Sequence, residues 1–358
     1  MKEIIMEMIR RNREAFMPYH QYIELALYHP KEGYYMREQT KIGRGGDFYT
    51  TPSMGPVFGE FLGKWLCREL KKAGLPPVIC ELGGGSGQMA SNVLKGFARE
   101  DADFAMELVY YMVEASPYHR ASIEHLTGND SRVRFLSDLE SLSRIEGIIF
   151  SNEFFDAFPV DVAVKQDGEW KEAGITIIDE DLGEATRDIR NEDIRQFIRE
   201  WDIPPFMNRI EIPLQMIAAY EMAVDKLARG LLLTIDYGMD SEEWFSPIRK
   251  DGTLRAYRNH RLLESILDSP GEADITFTVP FDLLRKRGAE MGCHEKYWGG
   301  QAEFLIEGGI LEELIPHADA DPFSLANKRN RQIRQLIMGE SISDYFRVLL
   351  QEKGNEKP

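Results

Sequence analysis

At 358 residues the chain is longer than most compact domains and fits one large α/β domain with additions, or two domains. Its 43% hydrophobic content supplies a sizeable core, and no run of about 18 apolar residues is present to span a membrane. The formal charge of −17 argues against nonspecific nucleic-acid binding, because a polyanion is repelled. Cys67, Cys80 and Cys293 are far apart and show no metal-ligand spacing, which fits a reducing cytoplasm and no metal site.

Residues 1–16 alternate Arg and Lys with Glu and carry Ile4, Ile5, Met8 and Ile9 at helical intervals. This predicts a folded amphipathic helix: a secretory signal needs a longer apolar core, and a transit peptide avoids acids such as Glu3, Glu7 and Glu14. The stretch from Tyr19 to Phe48 is dense in Tyr and Gly and reads as a loop-rich covering layer. Within it Asp47, beside Gly46, suits a turn, with a catalytic acid as the alternative. Val57, Phe58, Phe61, Leu62, Trp65, Leu66 and Leu70 then mark one broad apolar helix face.

Val78, Ile79 and Cys80 predict the buried end of a strand, and Glu81-Leu82-Gly83-Gly84-Gly85-Ser86-Gly87 follows as a turn whose glycines admit positive φ and close approach to a ligand. Met89, Val93, Leu94 and Phe97 place a helix directly after it, so a helix N-terminus faces whatever the turn cradles. A second strand over 107–113 ends at Glu114, where doubly wound folds place the acid that accepts ribose hydroxyls. A third over 133–136 leads to Ser137 and Asp138, suited to an adenine edge, and a fourth over 147–151 runs into Asn152-Glu153-Phe154-Phe155-Asp156-Ala157-Phe158-Pro159. The alternation predicts a parallel sheet with right-handed crossovers and a ligand at the carboxyl ends of its strands.

From Val160 the period changes to two, and Asp167-Gly168 signals a hairpin returning through Trp170, Ile175 and Ile177. The acidic stretch 179–200 reads as a solvated face. A helix over 212–228 stops at Gly230, and Leu231 to Ile235 restore a buried strand ending at Asp236-Tyr237-Gly238. An arginine-bearing loop at 252–261, a helix over 281–291, a strand-like run over 302–307 and a helical tail complete the chain. The expected division is 1–75 as a helical cover, 76–159 as a cofactor-binding half, 160–210 as an inserted β-rich region and 211–358 as the second half with the tail. His20, His29 and His294 carry no ligand spacing and read as structural; Arg255, Arg258, His260 and Arg261 suit either an acidic substrate feature or internal salt bridges.

Two cofactors compete for the turn. Gly85, Gly87 and Ala90 satisfy the dinucleotide pattern G-x-G-x-x-A, which keeps an NAD-dependent oxidoreductase open. Glu81, Gly83, Gly85 and Gly87 also satisfy E-x-G-x-G-x-G, a motif of class I S-adenosylmethionine methyltransferases. A pyrophosphate is repelled by carboxylates, whereas a sulfonium and an ammonium are attracted, so Glu81, Glu114 and Glu153 favour the methyl donor.

Gly-Asp-Phe at 46–48, Val-Phe-Gly-Glu at 57–60, the turn at 81–87, Asn152 to Val160, Asp236-Tyr237-Gly238, 252–261 and Met-Gly-Glu at 338–340 occur in order along nearly the whole chain, and together resemble the MidA-like family. That family includes a mitochondrial complex I assembly factor acting as a protein arginine methyltransferase. Its usual Gly-Pro-Gly-Arg-Gly turn is replaced here by Gly83-Gly84-Gly85-Ser86-Gly87. The resemblance implies a Rossmann-like class I methyltransferase fold with a mostly parallel seven-stranded sheet, an N-terminal helical cover and an inserted β-rich region. It implies S-adenosylmethionine as cofactor, held by Glu81, Gly83, Gly85, Gly87, Glu114, Asp138 and Asn152. Glu153, Asp156 and Asp47 are the implied catalytic acids, and the partner is a protein carrying a target arginine, with a homodimer admitted. Transfer to a small molecule and a noncatalytic assembly role are the alternatives.

Overall fold

The computed structural model describes residues 1–37, 55–127, 130–259, 261–317, 321–338 and 345–354. Gly46-Asp47-Phe48, His260 and Gly339-Glu340 lie outside the described residues. The chain divides into two compact units, one formed by 1–48, 155–219 and 239–282, the other by 49–154, 220–238 and 283–358.

The second unit holds the large sheet. Its strands are β1 (Val78–Leu82), β2 (Val109–Val113), β3 (Val133–Leu136), β4 (Ile145–Asn152), β5 (Leu227–Met239), β6 (Cys293–Gly300) and β7 (Phe346–Lys353), in the spatial order β6-β7-β5-β4-β1-β2-β3. β3, β2, β1, β4 and β5 are mutually parallel, while β7 runs antiparallel to both β5 and β6. The inner strands read as continuous apolar runs, Ile148-Ile149-Phe150 and Leu231-Leu232-Leu233, because both faces of a parallel sheet are covered. The sheet is therefore mixed. Among the described residues it counts eight strands, the eighth being a two-residue pairing off this path, rather than the mostly parallel seven expected from the sequence.

Helix α1 (Val57–Lys72) packs on α2 (Gln88–Glu100), the helix that follows the glycine turn. Their closeness depends on glycines: a Cβ at Gly63 would lie 2.1 Å from the Val93 carbonyl oxygen, and one at Gly96 would lie 1.9 Å from that of Glu60. α1 thus belongs to the sheet unit, although the sequence pattern groups it with the N-terminal cover.

The first unit contains helices Lys2–Arg11 and Tyr19–Tyr28 and a five-stranded antiparallel sheet, Met17–Pro18, Glu169–Ile178, Asp161–Gln166 and Arg209–Ile212 in order, with Asp181–Arg187 paired to Glu169–Ile178. Asp167 and Gly168 both take positive φ, 51° and 85°, as a two-residue hairpin with right-handed strand twist requires. The N-terminal helix forms as its periodicity predicts, burying Ile5, Met6 and Ile9.

Four local expectations change. The stretch 179–200 is not simply a solvated face: it carries strand Asp181–Arg187 and helix Glu192–Glu200, which buries Ile194 and Phe197. Part of the loop-rich 19–48 stretch is helix Tyr19–Tyr28. Residues Gln301–Glu307 form a helix instead of a strand, burying Gln301, Phe304 and Leu305 at helical spacing. The expected helical tail ends in β7, preceded by helix α3 (Leu325–Ile337); Val348-Leu349-Leu350 is a short apolar run buried on both faces, which period alone cannot assign.

Candidate active site

In the large sheet the chain runs β1, β2, β3 in one direction and returns to β4 on the other side of β1. The strand order reverses between β1 and β4, and in open α/β sheets ligands bind outside the carboxyl ends at such a switch point. The glycine turn leaves β1 there, and Asn152-Glu153 leaves β4 there.

The turn is fixed to the neighbouring strand by its backbone. Gly83 N–H donates to the Val113 carbonyl at 2.9 Å, and Gly85 N–H donates to Glu114 Oε2 at 2.8 Å. The other Glu114 oxygen accepts from Ser116 N–H at 2.7 Å, and His119 Nδ1 lies 3.6 Å from Oε2. Glu114 thus holds the glycine turn and the end of β2 in one carboxylate clamp. Gly83, Gly85 and Gly87 all have positive φ. An added Cβ at Gly83 would strike Phe154 at 2.7 Å and one at Gly87 would strike Ile123 at 2.8 Å, but one at Gly85 would meet nothing closer than the Gly83 carbonyl oxygen at 3.9 Å. The turn therefore presents its open face at Gly85. A Cβ at Gly84 would lie 2.6 Å from the Met112 side chain, so a larger residue there requires Met112 to move aside.

Glu81 is placed differently from Glu114. It is buried in β1 and accepts a 2.6 Å hydrogen bond from the Tyr110 hydroxyl on β2. Burial pushes its carboxyl up to about 8, with Tyr110 opposing and Glu114 adding to the rise. Burial thus favours the protonated form of Glu81, and the bond from Tyr110 ties β1 to β2. Asp138 is exposed and accepts from Ser137 Oγ at 2.7 Å and from Ser141 N–H and Oγ at 2.8 and 2.6 Å, bonds that hold its carboxyl below its ordinary range. It closes the turn after β3.

At the end of β4, Asn152 Nδ2 donates to Glu153 Oε1 at 3.1 Å, while Asn152 Oδ1 is buried with no hydrogen-bond partner among the described residues. Glu153 has a left-handed backbone, φ 53°, an uncommon state for a residue with a side chain. Two bonds from β5 hold it: Glu153 N–H donates to the Ile235 carbonyl at 3.0 Å, and the next amide, Phe154 N–H, donates to Asp236 Oδ2 at 3.1 Å. Asp236, fully buried, also accepts from Tyr237 N–H at 2.8 Å. This positioning residue is not among those the sequence singles out for the site; a lone carboxylate closing the apolar run Leu231 to Ile235 is the signal for it.

Asp156 belongs to the other unit. Its Oδ2 accepts from Thr276 Oγ1 at 2.9 Å, and burial raises its carboxyl to about 6 against the opposing pull of Thr276 and Arg255. Asp47 lies outside the described residues. The sheet unit thus gathers Gly83, Gly85, Gly87, Glu114, Asn152 and Glu153 around the switch point, sets Glu81 beneath them and leaves Asp138 at the β3 turn. Of the arginines in the 252–261 loop, Arg258 is engaged internally, 2.6 Å from Glu272.

Residues 61–297 match the family described as "Putative S-adenosyl-L-methionine-dependent methyltransferase". The chain belongs to that family. The methyltransferase is similar to the mitochondrial protein arginine methyltransferase NDUFAF7 homolog of Drosophila melanogaster, at 29% identity over 84% of this chain and 74% of the relative, and to NDUFAF7 of Danio rerio, at 26% identity over 91% and 81%. A Burkholderia thailandensis protein solved with S-adenosyl-homocysteine bound has 28% identity and a TM-score of 0.86, covering 99% of this chain and 93% of that one. These matches set aside the nicotinamide alternative. They also overturn the cytoplasmic location: the relatives from fly, zebrafish and rat are named mitochondrial. Buried, unpaired thiols are compatible with any reducing compartment and do not single out the cytoplasm.

S-adenosylmethionine fits the residues present. The open face at Gly85, the unpartnered Asn152 Oδ1 and the carboxylates of Glu114 and Glu153 offer space, a hydrogen-bond acceptor and negative charge for a cationic nucleoside.

Proposed function

We propose that this methyltransferase transfers a methyl group to the guanidinium of an arginine on a partner protein. The observation that carries this reading is the name shared by the relatives, protein arginine methyltransferase, over 84% and 91% of the chain. The bound cofactor supplies an electrophilic methyl on a sulfonium. The residues of the chain align the acceptor and manage its charge. A guanidinium is protonated at neutral pH, so its lone pair becomes available only when a proton leaves, and a carboxylate at the site both orients the cation and takes that proton. Glu153 fills this role, because its strained backbone aims it from the end of β4 and Asn152 steadies its Oε1. Asp156, whose carboxyl is raised to about 6, and Asp47 are the further acids that the family resemblance implies. Glu114 and Asp138 receive the ribose and adenine, and Asn152 Oδ1 takes a donor from the cofactor or acceptor.

Incubating the purified protein with labelled S-adenosylmethionine and lysate of its own cell, followed by mass spectrometry of the modified residue, tests the proposal. Label on protein arginine is expected, and label confined to small molecules overturns it.

A further inference from the structure

Helix α3 (Leu325–Ile337) carries Lys328, Arg329, Arg331 and Arg334 and no acidic residue, in a chain whose formal charge is −17. Its inner side is committed: Asn330, Ile333 and Leu336 are buried, and Arg329 pairs with Glu60 and Glu313. Asn330 pins the neighbouring segment by two 2.9 Å bonds to the Ile315 backbone. The outer side is exposed, with Arg331 Nη2 donating to the Pro322 carbonyl at 2.5 Å. Lys328, Arg331, Arg334, Gln335 and Met338 are exposed, and no ion pair engages Lys328, Arg331 or Arg334 among the described residues. Phe323 and Leu325, 69% and 85% exposed, stand at one end of this face, and Met338, 62% exposed, at the other. About 20 Å of helix separates the ends.

We propose that the outer face of α3 is a docking surface for an acidic polypeptide segment whose carboxylates meet Lys328, Arg331 and Arg334 and whose apolar side chains cover Phe323 and Leu325 at one end and Met338 at the other. Charge complementarity selects this occupant. An amphipathic helix that binds a bilayer buries its apolar face among the acyl chains, but the apolar face of α3 is already buried in the protein and the face left outward is cationic. A nucleic acid runs past this face and is repelled along its length by a chain of charge −17, whereas a short acidic segment confined to the face meets its cations within a Debye length. The surface does not depend on which group is methylated.

The experiment uses the full-length protein and a fluorescent synthetic peptide of about 14 residues, long enough to span the face, rich in Asp and Glu with Leu and Phe at its ends. Its comparators are the same peptide with Lys replacing the acids, phosphatidylserine vesicles and a single-stranded oligonucleotide. The acidic peptide is expected to bind in preference to all three. The double variant Lys328→Glu/Arg334→Glu should bind it about tenfold more weakly. S-adenosylhomocysteine affinity should stay unchanged in that variant, which establishes that it is folded. Equal peptide binding by parent and variant, or stronger binding to vesicles or oligonucleotide than to the peptide, overturns the proposal.

Discussion

Glu114 joins two backbone amides from different elements, Gly85 N–H and Ser116 N–H, through its two oxygens. A neutral side chain of the same shape keeps one acceptor but turns its other arm into a donor facing a donor. Glu114→Gln should therefore weaken S-adenosylhomocysteine binding by about one to two orders of magnitude, because a charge-assisted bond is lost and the turn loosens. Calorimetric titration measures it, and an unchanged Kd would show that the clamp does not shape the site. Glu81 predicts a pH effect instead. The folded chain keeps its proton up to about 8, whereas the unfolded chain releases it near the ordinary 4.5. Between those values the native state binds more protons than the unfolded state, so this group's contribution to stability falls as pH rises. Glu81→Gln removes the titration while leaving an oxygen for Tyr110. Its melting temperature should gain on the parent from about pH 5 to about pH 8, and a pH-independent difference would contradict the burial argument. The glycines and Glu114 could be singled out from sequence because they follow strands at fixed offsets. The Tyr110 lock on Glu81 and the Asp236 bond to Phe154 could not, since the first joins two strands and the second joins β5 to the loop after β4, and both pairings are set only by folding.

At the scale of elements, the glycine turn is only as fixed as the helix that follows it. α2 is held against α1 at a distance that allows no Cβ at Gly63 or Gly96, and in both cases the obstacle is backbone, which cannot swing aside. Gly96→Ala should cost about 1–3 kcal/mol of stability despite alanine's better helix propensity, as an overpacked contact at a helix crossing does. Urea unfolding tests this, and a stabilised variant would refute it. The apolar stripes of these helices and the alternation of the first four strands were legible because each period runs long enough to choose between 3.6 and 2. Residues 301–307 and 346–353 were not. Each offers only a few consecutive apolar residues, and β7 becomes a strand only because β5 and β6 flank it on both sides, a tertiary fact.

At the scale of the whole molecule, each unit is assembled from three chain segments, and the chain passes between the units at 48–49, 154–155, 219–220, 238–239 and 282–283. Unfolding one unit while the other stays folded would leave two of its three segments as closed loops anchored at both ends, whose freedom is far smaller than that of a released chain. Much of the entropy that drives unfolding is then withheld until both units open. The expectation is one cooperative calorimetric transition, although a chain of this length has room for two independent ones. A ligand that contacts only the sheet unit should then stabilise the entire molecule. S-adenosylhomocysteine at about 100 times its Kd should add about 2.7 kcal/mol and move the whole transition upward as a single peak, while NAD at the same concentration leaves it in place. Two resolved peaks, with only one displaced by the ligand, would show that the interleaved segments do not couple the units.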